Sequence, residues 1–256
     1  MKTKSRLNIF YGALLIIVFW WVLHIIFSSK VIPSPYTVII NFFNILIPVL
    51  LPHLVMSLYR IVTAVLLALL LGVSIGLFTG INNRVDQYIS PVIYLIYPIP
   101  KIAFLPIFML LFGLGDRSKI ILIMVIVIFQ IIVTTRDSVK NINPEYFYSA
   151  RSMGVTGWET YRHVIIPAIL PQILTALRIT VGTSIAVLFY AENFATQYGI
   201  GYHIMNSWIM VNYVDMFSGI LAVSILGLLI FQSIDLLEDH FCHWVKVGNK
   251  KRLEIN

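Results

Sequence analysis

The sequence predicts an all-α polytopic membrane protein with six transmembrane helices, and three observations lead there. First, 59% of its 256 residues are hydrophobic and mean hydropathy is +0.90. Second, only 11% are charged, against about 25% in a soluble domain. Third, the apolar residues fall in runs of bilayer length, about 20 residues each, separated by short polar turns. One cysteine, Cys242, excludes an internal disulfide and a cysteine-built metal site. The net charge of +7 comes from Lys and Arg at the ends of apolar runs, so it is read as a topology signal and not as a nucleic-acid footprint. The whole chain, 1–256, reads as a single transmembrane domain.

The first apolar run, 9–27, follows a basic start. It is too long for a secretory leader and lacks a small-residue cleavage site, so it reads as an uncleaved span. Trp20 and Trp21 are expected toward the outer interface, with His24 as an interfacial histidine. Ser34 and Pro35 then open a short helix that Pro48 and Pro52 are expected to end, lying on the outer surface. The second span is 58–80. Its Ala64, Ala68, Gly72, Gly76 and Gly80 recur every four residues, the pattern that lets helices approach closely in membranes. Asn82, Asn83, Arg84 and Asp86 form an inner turn.

The third span, 89–112, carries four prolines. Pro91 is expected in its first turn, where proline is tolerated. Pro98, Pro100 and Pro106 are expected to break or kink it. Freed backbone groups survive at membrane depth only inside protein or beside a water-filled cavity, so these prolines mark the candidate solute path. Lys101 lies among them and needs pairing or snorkelling there. Both a structural and a substrate role are open to it. The fourth span is 119–135, with Gln130 as its strongly polar interior side chain. The fifth is 173–191, ending at Glu192, a second candidate path residue. An outer segment with Gly199 and Gly201 at a turn leads to the sixth span, 216–237.

Residues 143–171 are the longest polar stretch between apolar runs, and they look folded. Asn143 suits a helix N-cap, Pro144 its first position and Glu145 its positive end. Tyr146, Ala150 and Met153 share one face, and Gly154 is placed to stop the helix. Thr156 and Glu159 have capping-box spacing for a second helix with Trp158, Tyr161, Val164 and Ile165 on its apolar side. Pro167 and Pro171 are expected to interrupt the run. Apolar faces on such a loop need cover, either from the rest of this chain or from a partner protein.

Lys and Arg orient the chain. With the N-terminus inside, the inner side holds Lys2, Lys4, Arg6, Arg84, Arg136, Lys140, Arg151, Arg162, Arg178, Lys246, Lys250, Lys251 and Arg252. The outer side holds Lys30, Arg60, Arg117 and Lys119. Both termini and the 143–171 loop therefore face the cytoplasm. The chain has no phosphate-loop motif, no metal-binding spacing and no clustered Ser, His and Asp set. Carboxylates stand almost entirely at span ends, where an ion-coupled carrier would bury several within its spans. These features describe a passage without its own energy source or catalytic site.

The stretch S-A-R-S-M-G-x-x-x-W-x-x-x-x-x-V-I-I-P-x-x-L-P, residues 149–171, resembles the E-A-A…G…P coupling motif of permease subunits of binding-protein-dependent ABC importers. Ala150, Gly154, Pro167 and Pro171 match it, while Tyr148 and Ser149 stand where the family has Glu and Ala. PSPYTVI, YPIPKIAFLPIFMLLFGLGDRSKI, the AEN ending of the fifth span and YGIGYHI are similar to the sulfonate, taurine, nitrate and thiamine-pyrimidine-precursor branch. The resemblance implies a type I importer permease in the cytoplasmic membrane, working as a homodimer by alternating access. Two cytoplasmic ATPase subunits would bind ATP and Mg, so this chain would carry no cofactor. An extracytoplasmic binding protein would deliver the solute. Tyr146, Tyr148, Ser149, Ala150, Met153, Gly154, Trp158, Pro167 and Pro171 would then form the ATPase-coupling surface. The bland alternative is that the two loop helices pad the inner ends of the spans. A different transport class, an ion-coupled secondary transporter acting alone, is the competing function.

Overall fold

The computed structural model describes residues 2–27 and 31–244, with only the helix, not the side chains, over residues 2–10. Lys30 and the basic tail with Lys246, Lys250, Lys251 and Arg252 lie outside the described residues. Every regular element among the described residues is helical. In order they are α1 (Lys2–Phe27), α2 (Pro35–Ile45), α3 (Leu51–Ile81), α4 (Asn83–Ile96), α5 (Leu105–Phe112), α6 (Asp116–Lys140), α7 (Pro144–Ser152), α8 (Gly157–Thr160), α9 (Ile166–Glu192), α10 (Ile200–Ile209) and α11 (Tyr213–Phe241). Four helical runs are long and apolar enough to cross a bilayer: Pro35–Ile81, Asp116–Lys140, Gly157–Glu192 and Tyr213–Phe241. The pair Asn83–Ile96 and Lys101–Phe112, bent by 81°, would be a fifth, and Tyr11–Phe27 of α1 is a shorter apolar helix. Against the six expected, the described residues hold four helical runs of spanning length, or five if the broken pair is one span.

Several prolines behave differently from expectation. Pro48 and Pro52 do not end a surface helix; the chain stays helical from Pro35 to Ile81 through a π-helical turn at Leu46–Leu50. Nor do Pro167 and Pro171 interrupt their run, which is helical from Gly157 to Glu192 through a second π turn at Tyr161–Ile165. The two turns are built alike. The Leu51 amide reaches back to the Leu46 carbonyl and proline follows at 52; the Ile166 amide reaches back to the Tyr161 carbonyl and proline follows at 167. A proline has no N–H to give and its ring crowds the carbonyl four residues back. A widened turn just before it moves that carbonyl away and lets the helix resume without a lost bond. Pro171 sits inside α9 and is accommodated there.

Pro91 is not in a first turn. The Asn82 side chain accepts from the amides of Arg84 and Val85 at 3.0 and 3.3 Å, so α4 starts at Asn83 and Pro91 falls in its interior. Pro106 does not break a helix either; it occupies the first turn of α5, where its missing amide costs nothing. The break falls at Pro98 and Pro100 alone. After α9, Gly199 precedes α10, a helix not expected from the sequence, and Gly201 lies within it rather than at a turn.

The chain forms two compact units, one of residues up to Ser57 with Glu192–Leu226, the other of Leu58–Ala191 with the residues from Gly227 on. In the larger unit the small-residue row of α3 packs on α6. A Cβ at Gly72, Gly76 or Gly80 would lie 2.9, 2.6 and 2.7 Å from side-chain carbons of Ile131, Thr135 and Val139, while Ala64 and Ala68 are fully buried. The first turn of α4 and the last turns of α6 are joined by Asp86, which takes hydrogen bonds from both Arg136 and Lys140. Arg60 is buried on α3 and pairs with Asp116 at 2.7 Å. Arg178 of α9 bridges to Asp235 and Glu238 of α11. In the smaller unit Phe42, Leu50, Ile200, Ile204 and Ala222 form the core.

Candidate functional site

The 143–171 loop is built from local rules. The Asn143 side chain accepts from the Glu145 amide at 3.0 Å and Pro144 opens α7. At the other end Val155 donates to the Ala150 carbonyl and Gly154 to that of Arg151, both at 3.0 Å. This crossed pair is the Schellman closure, and it requires a left-handed residue between. Gly154 supplies it at φ +77°. Beyond it, the Glu159 carboxylate accepts from the Thr156 amide at 3.5 Å as one arm of a capping box. Gly157, which drew no attention in the sequence, also has a positive φ of +45°.

With both ends tied, α7 presents its side chains in a defined way. Ala150 is buried, while Tyr146, Tyr148 and Met153 are 58%, 65% and 78% exposed. Trp158 is exposed and stacks on Tyr161. A cleft of about 1140 Å³ runs between α7, α9 and the C-terminal end of α6. Tyr146, Ser149, Ala150, Met153, Pro167 and Pro171 all line it. Tyr148, Gly154 and Trp158 do not; Gly154 acts through the backbone, and the other two stand outside the cleft.

The break in the third apolar segment is a second polar feature. Pro98 and Pro100 have no N–H, so beyond the Ile99 amide, which reaches the Ile96 carbonyl at 3.1 Å, the carbonyls that end α4 still have room for a donor. Lys101 meets that need. Its Nζ donates to the Ile96 and Tyr97 carbonyls at 3.1 and 2.8 Å and stands 4.7 Å from the centre of the Phe129 ring. This is favourable placement for a cation at a helix C-terminus. Tyr97, Lys101, Gln130 and Thr183 line a cleft of about 400 Å³. Of the expected path residues, Pro98, Pro100 and Pro106 are not among its lining residues.

Glu192 is fully buried and lies on neither cleft. The Ser57 hydroxyl donates to it at 2.8 Å and the Gly201 amide at 2.8 Å, while the Ile200 amide donates to the Ser57 oxygen at 2.9 Å. The Gly199 amide donates to His53 Nδ1 at 2.9 Å. A Cβ at Gly199 would sit 2.4 Å from the Glu192 carboxyl carbon. The carboxylate therefore holds the start of α10, where amides point outward and negative charge is favoured. Ser57 and His53 were not singled out from sequence, because they reach Glu192 and Gly199 across more than a hundred residues of chain. Among the described residues no group of three His, Cys, Asp or Glu could hold a metal ion.

Comparison with known proteins agrees with this architecture. The sequence matches the family of binding-protein-dependent transport system inner membrane components over residues 68–247. It is 30% identical over 218 residues to a permease named for aliphatic sulfonates transport, SsuC of Bacillus subtilis, covering 85% of this chain and 79% of that protein. It is 32% identical to the formylaminopyrimidine transport permease ThiX of Halalkalibacterium halodurans, over 64% of this chain and 66% of that one. It is 29% identical to the taurine transport permease TauC of Escherichia coli, over 61% and 57%. The fold is that of a chain in the inward-facing MetNI methionine ABC transporter, with a TM-score of 0.66 over 75% of this chain and 95% of that one, at 19% identity. With helices long enough to cross a bilayer and a family match over most of its length, this chain belongs to the binding-protein-dependent transport system inner membrane components, as an ABC importer permease of the sulfonate, taurine and thiamine-precursor branch in the cytoplasmic membrane.

Proposed function

We propose that this chain is the membrane passage of an ATP-driven importer for a small solute such as a sulfonate, taurine or a thiamine-pyrimidine precursor. Two copies would form the passage, two cytoplasmic ATPase subunits would drive it, and an extracytoplasmic binding protein would deliver the solute. ATP and Mg would be bound by the ATPase. The observation that carries the reading is the capped α7 with its exposed Tyr146 and Met153 beside the large cleft. A short helix fixed at both ends, with apolar side chains turned outward on a polar loop, is a surface made to be covered. An ATPase groove that seats α7 would transmit its closing motion through α9 and α6, which wall the same cleft, and rock the spans between outward and inward access. Tyr148, Ser149, Trp158, Pro167 and Pro171 would complete the contact. The break at Pro98, Pro100 and Lys101 would lie along the solute path, and Glu192 would hold α10 at its outer side.

The test is co-purification from native membrane in mild detergent, comparing wild type with Ala150→Glu. Ala150 is 6% exposed on the cleft wall, so a carboxylate there places a charge on a largely buried helix face. Recovery of an ATPase subunit with wild type and its loss with the variant supports the reading. Absence of any ATPase from both preparations would turn attention to an ion-coupled carrier, whose transport would survive ATP depletion and stop with the ion gradient.

A further inference from the structure

Lys101 is buried to about nine-tenths, yet among the described residues no carboxylate pairs with it. A lysine ammonium has three N–H donors. Two are taken by the Ile96 and Tyr97 carbonyls; the Phe129 ring faces Nζ at 4.7 Å, and no further acceptor among the described residues takes the third. In the same cleft the Gln130 side chain makes no hydrogen bond with a described residue, although it lies near the end of the apolar stretch of α6. A buried cation without a counter-ion and an idle amide on one cleft are costly in a membrane protein. The C-terminal dipole of α4 and the Phe129 ring explain why the charge is tolerated; they do not explain why Lys101 and Gln130 line one cleft. Ile126 and Val187 give the cleft an aliphatic wall, and about 400 Å³ is at the small end of ligand sites.

We propose that this cleft is an anion site: Lys101 Nζ and the Gln130 amide hold the oxyanion headgroup of a small monoanionic solute, and the aliphatic wall takes its short carbon chain. That the solute is cargo rests on the importer reading; that the cleft takes an anion does not. A single cation already shared with two carbonyls binds weakly, as a passage requires. Two sources offer the same chemistry, a free alkyl oxyanion and the headgroup of an anionic lipid.

The experiment is thermal melting of the full chain in nanodiscs of zwitterionic lipid, read by tryptophan fluorescence at constant ionic strength. The probes are ethanesulfonate and the neutral ethyl methyl sulfone. The expected result is a saturable rise in melting temperature with ethanesulfonate and none with the sulfone. Lys101→Gln should raise the half-saturating concentration at least about tenfold, the loss of one charge-assisted hydrogen bond, and Lys101→Arg should keep part of the effect. Because Lys101 also caps α4, Gln130→Leu is the second variant. It leaves that cap intact and should also weaken the response. No rise in wild type, an equal rise with the sulfone, or a response unchanged in both Lys101→Gln and Gln130→Leu overturns the site. If nanodiscs containing anionic lipid reproduce the rise in wild type but not in Lys101→Gln, and abolish the ethanesulfonate response, the occupant is a lipid headgroup and the solute assignment is overturned. ATPase co-purification of the same preparations keeps the two readings apart: an ATPase present without an anion response rejects only this site, and the converse rejects only the importer.

Discussion

Substituting Gly76 by alanine tests the central packing claim of the larger unit. A Cβ at 76 would fall 2.6 Å from Thr135 Cβ and 2.8 Å from the Ile132 carbonyl oxygen. Non-bonded carbons sit best at about 3.5–4.0 Å, so α3 and α6 would have to part by roughly 1 Å at this level. Neither neighbour yields easily. Thr135 is β-branched and fully buried, and the carbonyl is part of the α6 backbone. Pivoting about Gly76 is opposed by the equally close Gly72 and Gly80. Overpacking of this kind costs about 1–3 kcal/mol, which corresponds to a fall in melting temperature of roughly 2–10 °C for a chain of this size. Gly182→Ala is the matched control. Its Cβ would meet only Phe231 Cζ at 3.8 Å, so the preference of helices for alanine over glycine, about 0.5–1 kcal/mol, should leave it neutral or slightly stabilised. The assay is heating of detergent-solubilised protein followed by fluorescence-detected size exclusion. Gly76→Ala melting at or above wild type, or both variants falling together, would refute the seam.

Other outcomes follow from the same geometry. Gly154→Val meets open space but must take φ near +77°, a strain of about 1–2 kcal/mol; ATPase recovery should drop while helix content by circular dichroism stays level, and full recovery would count against α7 as the coupling helix. Glu192→Gln sets an amide against the Ser57 hydroxyl and the Gly201 amide, which both donate to that carboxylate, and Gly199→Ala crowds the same group. Both should speed hydrogen exchange at α10 amides and leave α6 unchanged; unaltered exchange would remove Glu192 from this role. His203 on α10 is held below the usual imidazole range by burial, with Asp215 opposing. The unfolded chain therefore takes up this proton first, at about pH 6.5. The stability that the neutral ring contributes is whole above that pH and is lost as pH falls. Melting temperature should drop between pH 7.5 and 5.5 in wild type and drop less in His203→Gln; identical curves would show that other groups govern the acid response.

The sequence by itself determined the features that depend on near neighbours. Apolar runs, the Asn143 cap, the Gly154 stop and the Thr156–Glu159 pair are set within a few residues, and the structure carries each of them. The break at Pro98 and Pro100 was legible for the same reason, since two prolines so close deprive a helix of two amides in three. The four-residue row of α3 was legible as a packing face, and α6 is the helix that fills it. Only the tertiary structure decided what became of the other prolines. Pro52 and Pro167 look like helix ends when read alone, but a π turn before each costs little when packed neighbours support the run. It also decided which polar groups meet. Glu192 and Ser57 are separated by 135 residues, and Asp86 finds Arg136 and Lys140 only because α4 and α6 return to the same level. A buried charge must have partners, and that much follows from physical chemistry; who they are depends on how the chain closes on itself.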